Sequence, residues 1–139
     1  MEITNSNFSN NKANIGGAIY VANTGKLTLK NCEFADNKGT SNRDDDIRCQ
    51  NTSTLYLGGK VIAQVALNNT AKMYVDEVLT EDSEITVRII NGLSSNRVIV
   101  EFTNNVSMSD DLKKEIFILR SDSKGSSLSF ADNKVTVLK

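Results

Sequence analysis

Apolar and polar residues alternate in short runs along the chain, and the runs return at a fixed interval. Leu27-Thr28-Leu29 has the in–out–in spacing of a half-buried strand, and Ala18-Ile19-Tyr20-Val21 reads as a short strand before it. Between them Asn23-Thr24-Gly25 marks a turn, and Gly16-Gly17 marks a sharp corner where the backbone can take positive φ. Phe8 and Phe34, Asn11 and Asn37, and Ile3 and Leu29 are each 26 positions apart. A constant period in the twenties predicts a stacked repeat.

The second pass keeps this grammar. Asp44-Asp45-Asp46-Ile47 stands where Gly16-Gly17-Ala18-Ile19 stood, and Thr54-Leu55-Tyr56-Leu57 repeats Lys26-Leu27-Thr28-Leu29, both at an offset of 28. The extra residues fall in 38–43 and read as a small loop. Lys72-Met73-Tyr74-Val75 echoes the same strand at an offset of 18, and matching Ile85 to Met73 puts the next echo only 12 further on. The coils are thus expected to shorten. No apolar series at i, i+3, i+4, i+7 reaches helical length, so the chain reads as all-β, a solenoid over 1–97.

From Val98 the period is lost, and 98–139 reads as an irregular C-terminal cap. It holds a strand at 98–102, a helical turn started by Ser109, and closing strands near 116–119, 126–130 and 135–138. A solenoid coil cannot bury its apolar face alone and must stack on neighbours about 4.8 Å away. The edge at Met1 carries no comparable cover and is expected to invite self-association. Met1-Glu2-Ile3-Thr4 has no signal-peptide character and already lies inside a repeat, so the chain reads as the end of a longer solenoid.

Composition narrows function mainly by exclusion. The 139 residues carry a net charge of −1, which argues against nucleic acid as a partner, and Val61-Ile62-Ala63 falls far short of the roughly 20 apolar residues of a membrane span. There is no His, Trp or Pro. Without His the usual proton shuttle and commonest metal ligand are missing, and two Cys cannot make a structural zinc site. No cofactor is implied. Tyr20, Tyr56 and Tyr74 are what remains for carbohydrate stacking. The heavy use of Asn suits turns and left-handed single residues.

Asp44-Asp45-Asp46 is the strongest charge cluster, with Asp36 and Arg43 near it. Three carboxylates on a turn could hold Ca²⁺, but the spacing matches neither an EF-hand loop nor a Gly-rich calcium repeat, and a solvated turn is the favoured reading. Cys32 and Cys49 occupy inward-facing positions and read as buried thiols ahead of a disulfide. Thr28, Asn31, Asn37 and Asn11 could form ladders between coils. The sequons at Asn7, Asn51, Asn68 and Asn105 are what chance gives in an Asn-rich chain. Catalysis on polysaccharide would need paired carboxylates across a cleft. The acids Asp76, Glu77, Glu81 and Asp82 fall in turns, and none is expected to face another one coil away.

The paired signatures GGAI (residues 16–19) and FxxN (8–11 and 34–37), with the segment 25–34, resemble the repeats of polymorphic outer-membrane proteins and adhesin-like β-helical surface proteins. The likeness covers 3–57 well and 58–90 by general strand spacing. It implies a right-handed parallel β-helix, displayed at or outside the cell surface and used in adhesion or as a stalk. The expectation is therefore a non-catalytic fragment that meets a host protein or glycan surface. The alternative is a fragment of a carbohydrate-active β-helix, a lyase or hydrolase.

Overall fold

Short strands with apolar residues at every second position can satisfy both backbone and core only by stacking, and the chain does this by winding. The computed structural model describes residues 1–40, 45–91, 94–120 and 125–139. Over these the chain is a parallel β-solenoid of about four turns. The first coil holds β1 (Glu2–Ser9), β2 (Lys12–Ala13) and β3 (Ile19–Val21), and the second repeats it as β4 (Lys26–Ala35), β5 (Lys38–Gly39) and β6 (Ile47–Cys49). The third is one long strand, β7 (Thr54–Leu67), and the fourth is β8 (Lys72–Leu79) and β9 (Glu84–Ile89).

Register follows the sequence offsets closely in the first coils. Ile3 pairs with Leu29, Leu29 with Leu57 and Leu57 with Val75, while Leu27, Leu55 and Met73 make a second inward column. Ile19, Ile47, Val65 and Val87 make a third on the opposite wall. Leu29, Leu55, Leu57, Ile47, Met73 and Val87 are fully buried, so these columns are the core. Phe8 stacks on Phe34 with ring centroids 4.8 Å apart, as the 26-residue period requires.

The expected shortening holds for one step, where Met73 stacks on Leu55 at an offset of 18, but not for the next. Ile85 stacks on Ala63, not on Met73. β7 runs through a bend without a turn and supplies both walls of its coil, so β8 and β9 each find their own half of it.

Asparagine makes the bends possible. Asn5, Asn31 and Gly59 hold positive φ at the bend of β1, β4 and β7, and Asn10 and Asp36 do so at the next one. Asn and Asp tolerate this conformation better than other side-chain-bearing residues, because their short polar groups bond locally. A Cβ on Gly59 would run into the Asn31 carboxamide. That carboxamide instead donates to Asn5 Oδ1 at 3.2 Å and accepts from Lys60 N at 3.0 Å. A further corner is made by the β-turns 22–25, 50–53 and 68–71, with Thr24, Asn51 and Asn69 left-handed. Here Asn69 donates to Asn51, Asn68 to Gln50 and Asn91 to Asn68, a ladder up the corner.

Beyond residue 97 the parallel stack continues before it closes. β10 (Arg97–Phe102) pairs in parallel with β8, and β11 (Phe117–Leu119) with β9. Between them lies α1 (Asp110–Ile116), whose N-cap Ser109 accepts from Leu112 N. Ile116 is fully buried, and the Phe102 and Phe117 rings meet edge to face 6.1 Å apart. Lys113 is buried with them, its Nζ 2.9 Å from Asp110 and 4.9 Å from the Phe102 ring centroid. Then β12 (Ser127–Ala131) and β13 (Lys134–Leu138) form a hairpin through Asp132-Asn133, both left-handed, as a tight two-residue turn demands. β13 runs antiparallel along β10 and covers its edge.

Candidate functional site

The acidic run is where the sequence concentrates chemistry. Asp44 lies outside the described residues. Asp45 and Asp46 are not a solvated turn: they are 2% and 4% exposed. The corner leads directly into β6, and the coil above closes over it. Asp45 accepts from Arg88 Nη1 at 3.1 and 2.9 Å, through both carboxylate oxygens, and Arg120 Nη1 lies 3.5 Å away. Arg88 comes from β9 and Arg120 follows β11, so one carboxylate ties three parts of the stack together. Two guanidinium groups against it make a poor seat for Ca²⁺, which needs six to eight oxygens and no competing cation. Among the described residues no group of three or more His, Cys, Asp or Glu is placed to hold a metal.

Asp46 is held differently. Its Oδ1 accepts from Asn37 Nδ2 at 2.8 Å and its Oδ2 from Gln64 N at 2.7 Å. Burial pushes its pKa up, against the pull of those two bonds, and the nearby Asp36 charge adds to the rise.

The remaining acids divide between ion pairs and one groove. Glu77 meets Lys30 at 3.0 Å, and Lys60 bridges Glu33 at 2.7 Å and Asp82 at 3.2 Å, all at the solvent. The Thr80 hydroxyl and then Lys60 hold Asp82 below the usual carboxylate range. Asp76 and Glu81 are exposed nearby. Such surface pairs contribute little. Acids outside that set do come together in one place. Asp36, Asp46 and Glu84 line one groove of about 240 Å³ with Phe34, Ile62, Gln64 and Thr86. Sequence reasoning missed Glu84 because the groove spans the second to fourth coils, and only the stacking of Glu84 on Ile62 brings it there.

Tyr56 and Tyr74 stack on each other with centroids 5.2 Å apart and 18° between planes. Their faces are turned toward one another along the stack, so they brace neighbouring coils more readily than they present a platform for sugar. Tyr20 stands apart on β3, about half exposed. Both cysteines are free and buried, in keeping with the thiol reading. Burial pushes the Cys49 thiol up to about 12, which leaves it unreactive at neutral pH. The Asn68 sequon is spent in the corner ladder, its Nδ2 donating to Gln50 Oε1 at 2.8 Å.

No helix among the described residues is long and apolar enough to cross a membrane. No protein-family model, curated protein or solved structure matches the chain.

Proposed function

We propose that the chain is a non-catalytic piece of a repetitive extracellular or cell-surface solenoid that acts in adhesion or as a stalk, against a host protein or glycan surface. One observation carries this reading: the polar side chains of the coils are spent on neighbouring coils. Asn5 with Asn31, Asn11 with Asn37, Asn51 with Asn69 and Gln50 with Asn68 each bond across one coil step. The two described acids of the acidic run are likewise bound into the scaffold. A chain built this way resists extension and unwinding, which suits display at a distance.

The carbohydrate-active alternative draws on the groove at Asp36, Asp46 and Glu84. An acid with a raised pKa beside other carboxyl groups is an arrangement general acid–base chemistry uses. Against it, both Asp46 oxygens already accept bonds from the scaffold. The test pairs two assays on the purified chain: retention on immobilised glycans and host-surface proteins, and release of reducing or unsaturated ends from uronic-acid polymers. Retention without turnover is expected. Turnover abolished by Asp36→Asn or Glu84→Gln would replace the adhesive reading with the enzymatic one.

A further inference from the structure

We propose that the cleft where Lys12 stacks on Lys38 is a subsite for the acid group of an acidic saccharide. The proposal rests on the adhesive reading and names the chemistry of its ligand. β2 and β5 pair in parallel with Lys12 opposite Lys38. Among the register pairs of the described strands, this is the one that sets two like charges opposite each other. Paired strands lie about 4.8 Å apart, and like charges directly opposite destabilise a sheet. Elsewhere in the stack a lysine is answered across strands: Lys30 by Glu77, Lys60 by Glu33 and Lys72 by Glu101. Among the described residues, Lys12 and Lys38 meet no carboxylate at ion-pair distance.

The two lysines share a cleft of about 430 Å³ with Asn10 and Asp36, within the roughly 300–1,000 Å³ of small-ligand sites. Asn10 and Asp36 are equivalent positions 26 apart, as are Lys12 and Lys38, so two successive coils supply the same pair of places. The backbone beneath is fixed. Lys38 N donates to Asn11 O at 2.8 Å and Thr40 N to Ala13 O at 2.8 Å, and Asn37 Oδ1 accepts from both Asn11 N and Asn11 Nδ2. The lysine stems therefore leave the scaffold one strand spacing apart before a ligand arrives, which lowers the ordering cost of binding. An acid group seated between the two ammonium groups accepts from both and offsets their repulsion. Asp36 decides what else the ligand carries. An ionised carboxylate accepts and does not donate, so it disfavours a bare anion and favours one whose neighbouring atoms bear hydroxyls. The Asn10 carboxamide, which donates and accepts, suits the same hydroxyls. An acid group flanked by hydroxyls is an acidic sugar; a Glu-rich peptide has the acid and lacks the hydroxyls.

The test is calorimetric titration of the whole chain with trigalacturonate, a sulfated disaccharide, a neutral trisaccharide, sodium sulfate and a Glu-rich peptide. At least one acidic sugar is expected to bind, more weakly as salt rises, while the neutral sugar, the sulfate ion and the peptide do not. The two acidic sugars show whether carboxylate or sulfate ester is preferred. Lys12→Gln and Lys38→Gln are each expected to weaken binding about tenfold, the loss of one charge-assisted contact. Neither should lower the melting temperature, because each relieves the like-charge pair. Lys26→Gln removes an exposed lysine outside the cleft and should leave the affinity unchanged. Affinity unaltered by both cleft variants, an equal loss in Lys26→Gln, equal binding of sulfate or the peptide, or no binding of either acidic sugar overturns the subsite. If the chain still adheres to a host surface in that case, the adhesive reading stands without the subsite. If it adheres to nothing and turns over uronic-acid polymer, that reading fails too.

Discussion

Two corners of the solenoid solve the same problem in opposite ways. At the corner of the turns 22–25, 50–53 and 68–71, like residues recur, and the carboxamides of the third turn bond those of the second, a single coil away. At the corner that is Gly17-Ala18 in the first coil and Asp45-Asp46 in the second, the residue type changes. Gly17 N and Ala18 N donate to the backbone carbonyls of Asp45 and Asp46, so the two corners still stack. The side chains, however, reach away to Arg88, Asn37 and Gln64. Repetition makes local, interchangeable bonds. Substitution at one coil creates a bond that only one pair of distant residues can make.

The sharpest contrast comes from Asp45. Asp45→Ala leaves Arg88, whose side chain is only 10% exposed, without its carboxylate. Breaking a buried pair on one side costs about 3–5 kcal/mol. Chemical denaturation should show a loss of that order, and Arg88→Ala a similar one. A loss below about 1 kcal/mol for Asp45→Ala would place the pair with ordinary surface contacts and remove the contrast between the corners.

Asn37 joins the two modes. It is 3% exposed and uses its whole carboxamide: Oδ1 accepts from Asn11 N and Nδ2, and Nδ2 donates to Phe8 O and Asp46 Oδ1. Asn37→Ala strands those groups and is expected to cost about 1–3 kcal/mol. Asn31→Ala, at an exposed ladder position, should cost less in the same denaturation series.

Most of the walls could be read from the sequence, and the reason is the period. Offsets of 26 and 28 placed Leu29 on Ile3, Ile47 on Ile19 and Leu55 on Leu27, and 18 placed Met73 on Leu55. The reading failed at Ile85, because β7 continues unbroken past its Gly58-Gly59 bend and supplies the second wall from the same strand. The Asn-rich composition pointed correctly to left-handed corners. The environment of Asp45 and Asp46 could not be read. Their partners lie on other coils, brought near by stacking, and no local pattern links Asp45 to Arg88 across 43 residues. The same holds for the groove, whose Glu84 meets Asp36 and Asp46 only through the fourth coil.

Acidification separates Asp46 from its neighbours. Its folded-state pKa is raised, so protons bind the folded chain more readily than the unfolded one. The stabilising contribution is fully present below the unfolded-state pKa and is lost as pH rises through the folded value. Asp46→Asn lacks that term and sets an NH₂ group against either Gln64 N or Asn37 Nδ2. The melting-temperature gap between wild type and Asp46→Asn should therefore be wider in acid than at neutral pH. A gap that narrows on acidification would mean that the carboxylate form is the one the fold prefers.

The smallest effect belongs to the repeated corner. Asn69 is exposed, sits at φ 49°, and donates one bond to Asn51. Asn69→Gly loses that exposed bond, worth about 0.5–1.5 kcal/mol at most. It gains the residue that takes positive φ without steric cost. The two terms oppose each other, and the net change in unfolding free energy should fall within about 0.5 kcal/mol, as for most surface substitutions. Asn69→Ala loses the bond and keeps the strain, so it should be the worse of the two by about 1 kcal/mol, the usual penalty for a Cβ in the left-handed region. If Ala and Gly prove equal at 69, the ladder and not the backbone conformation selects asparagine, and the corners differ in their partners alone.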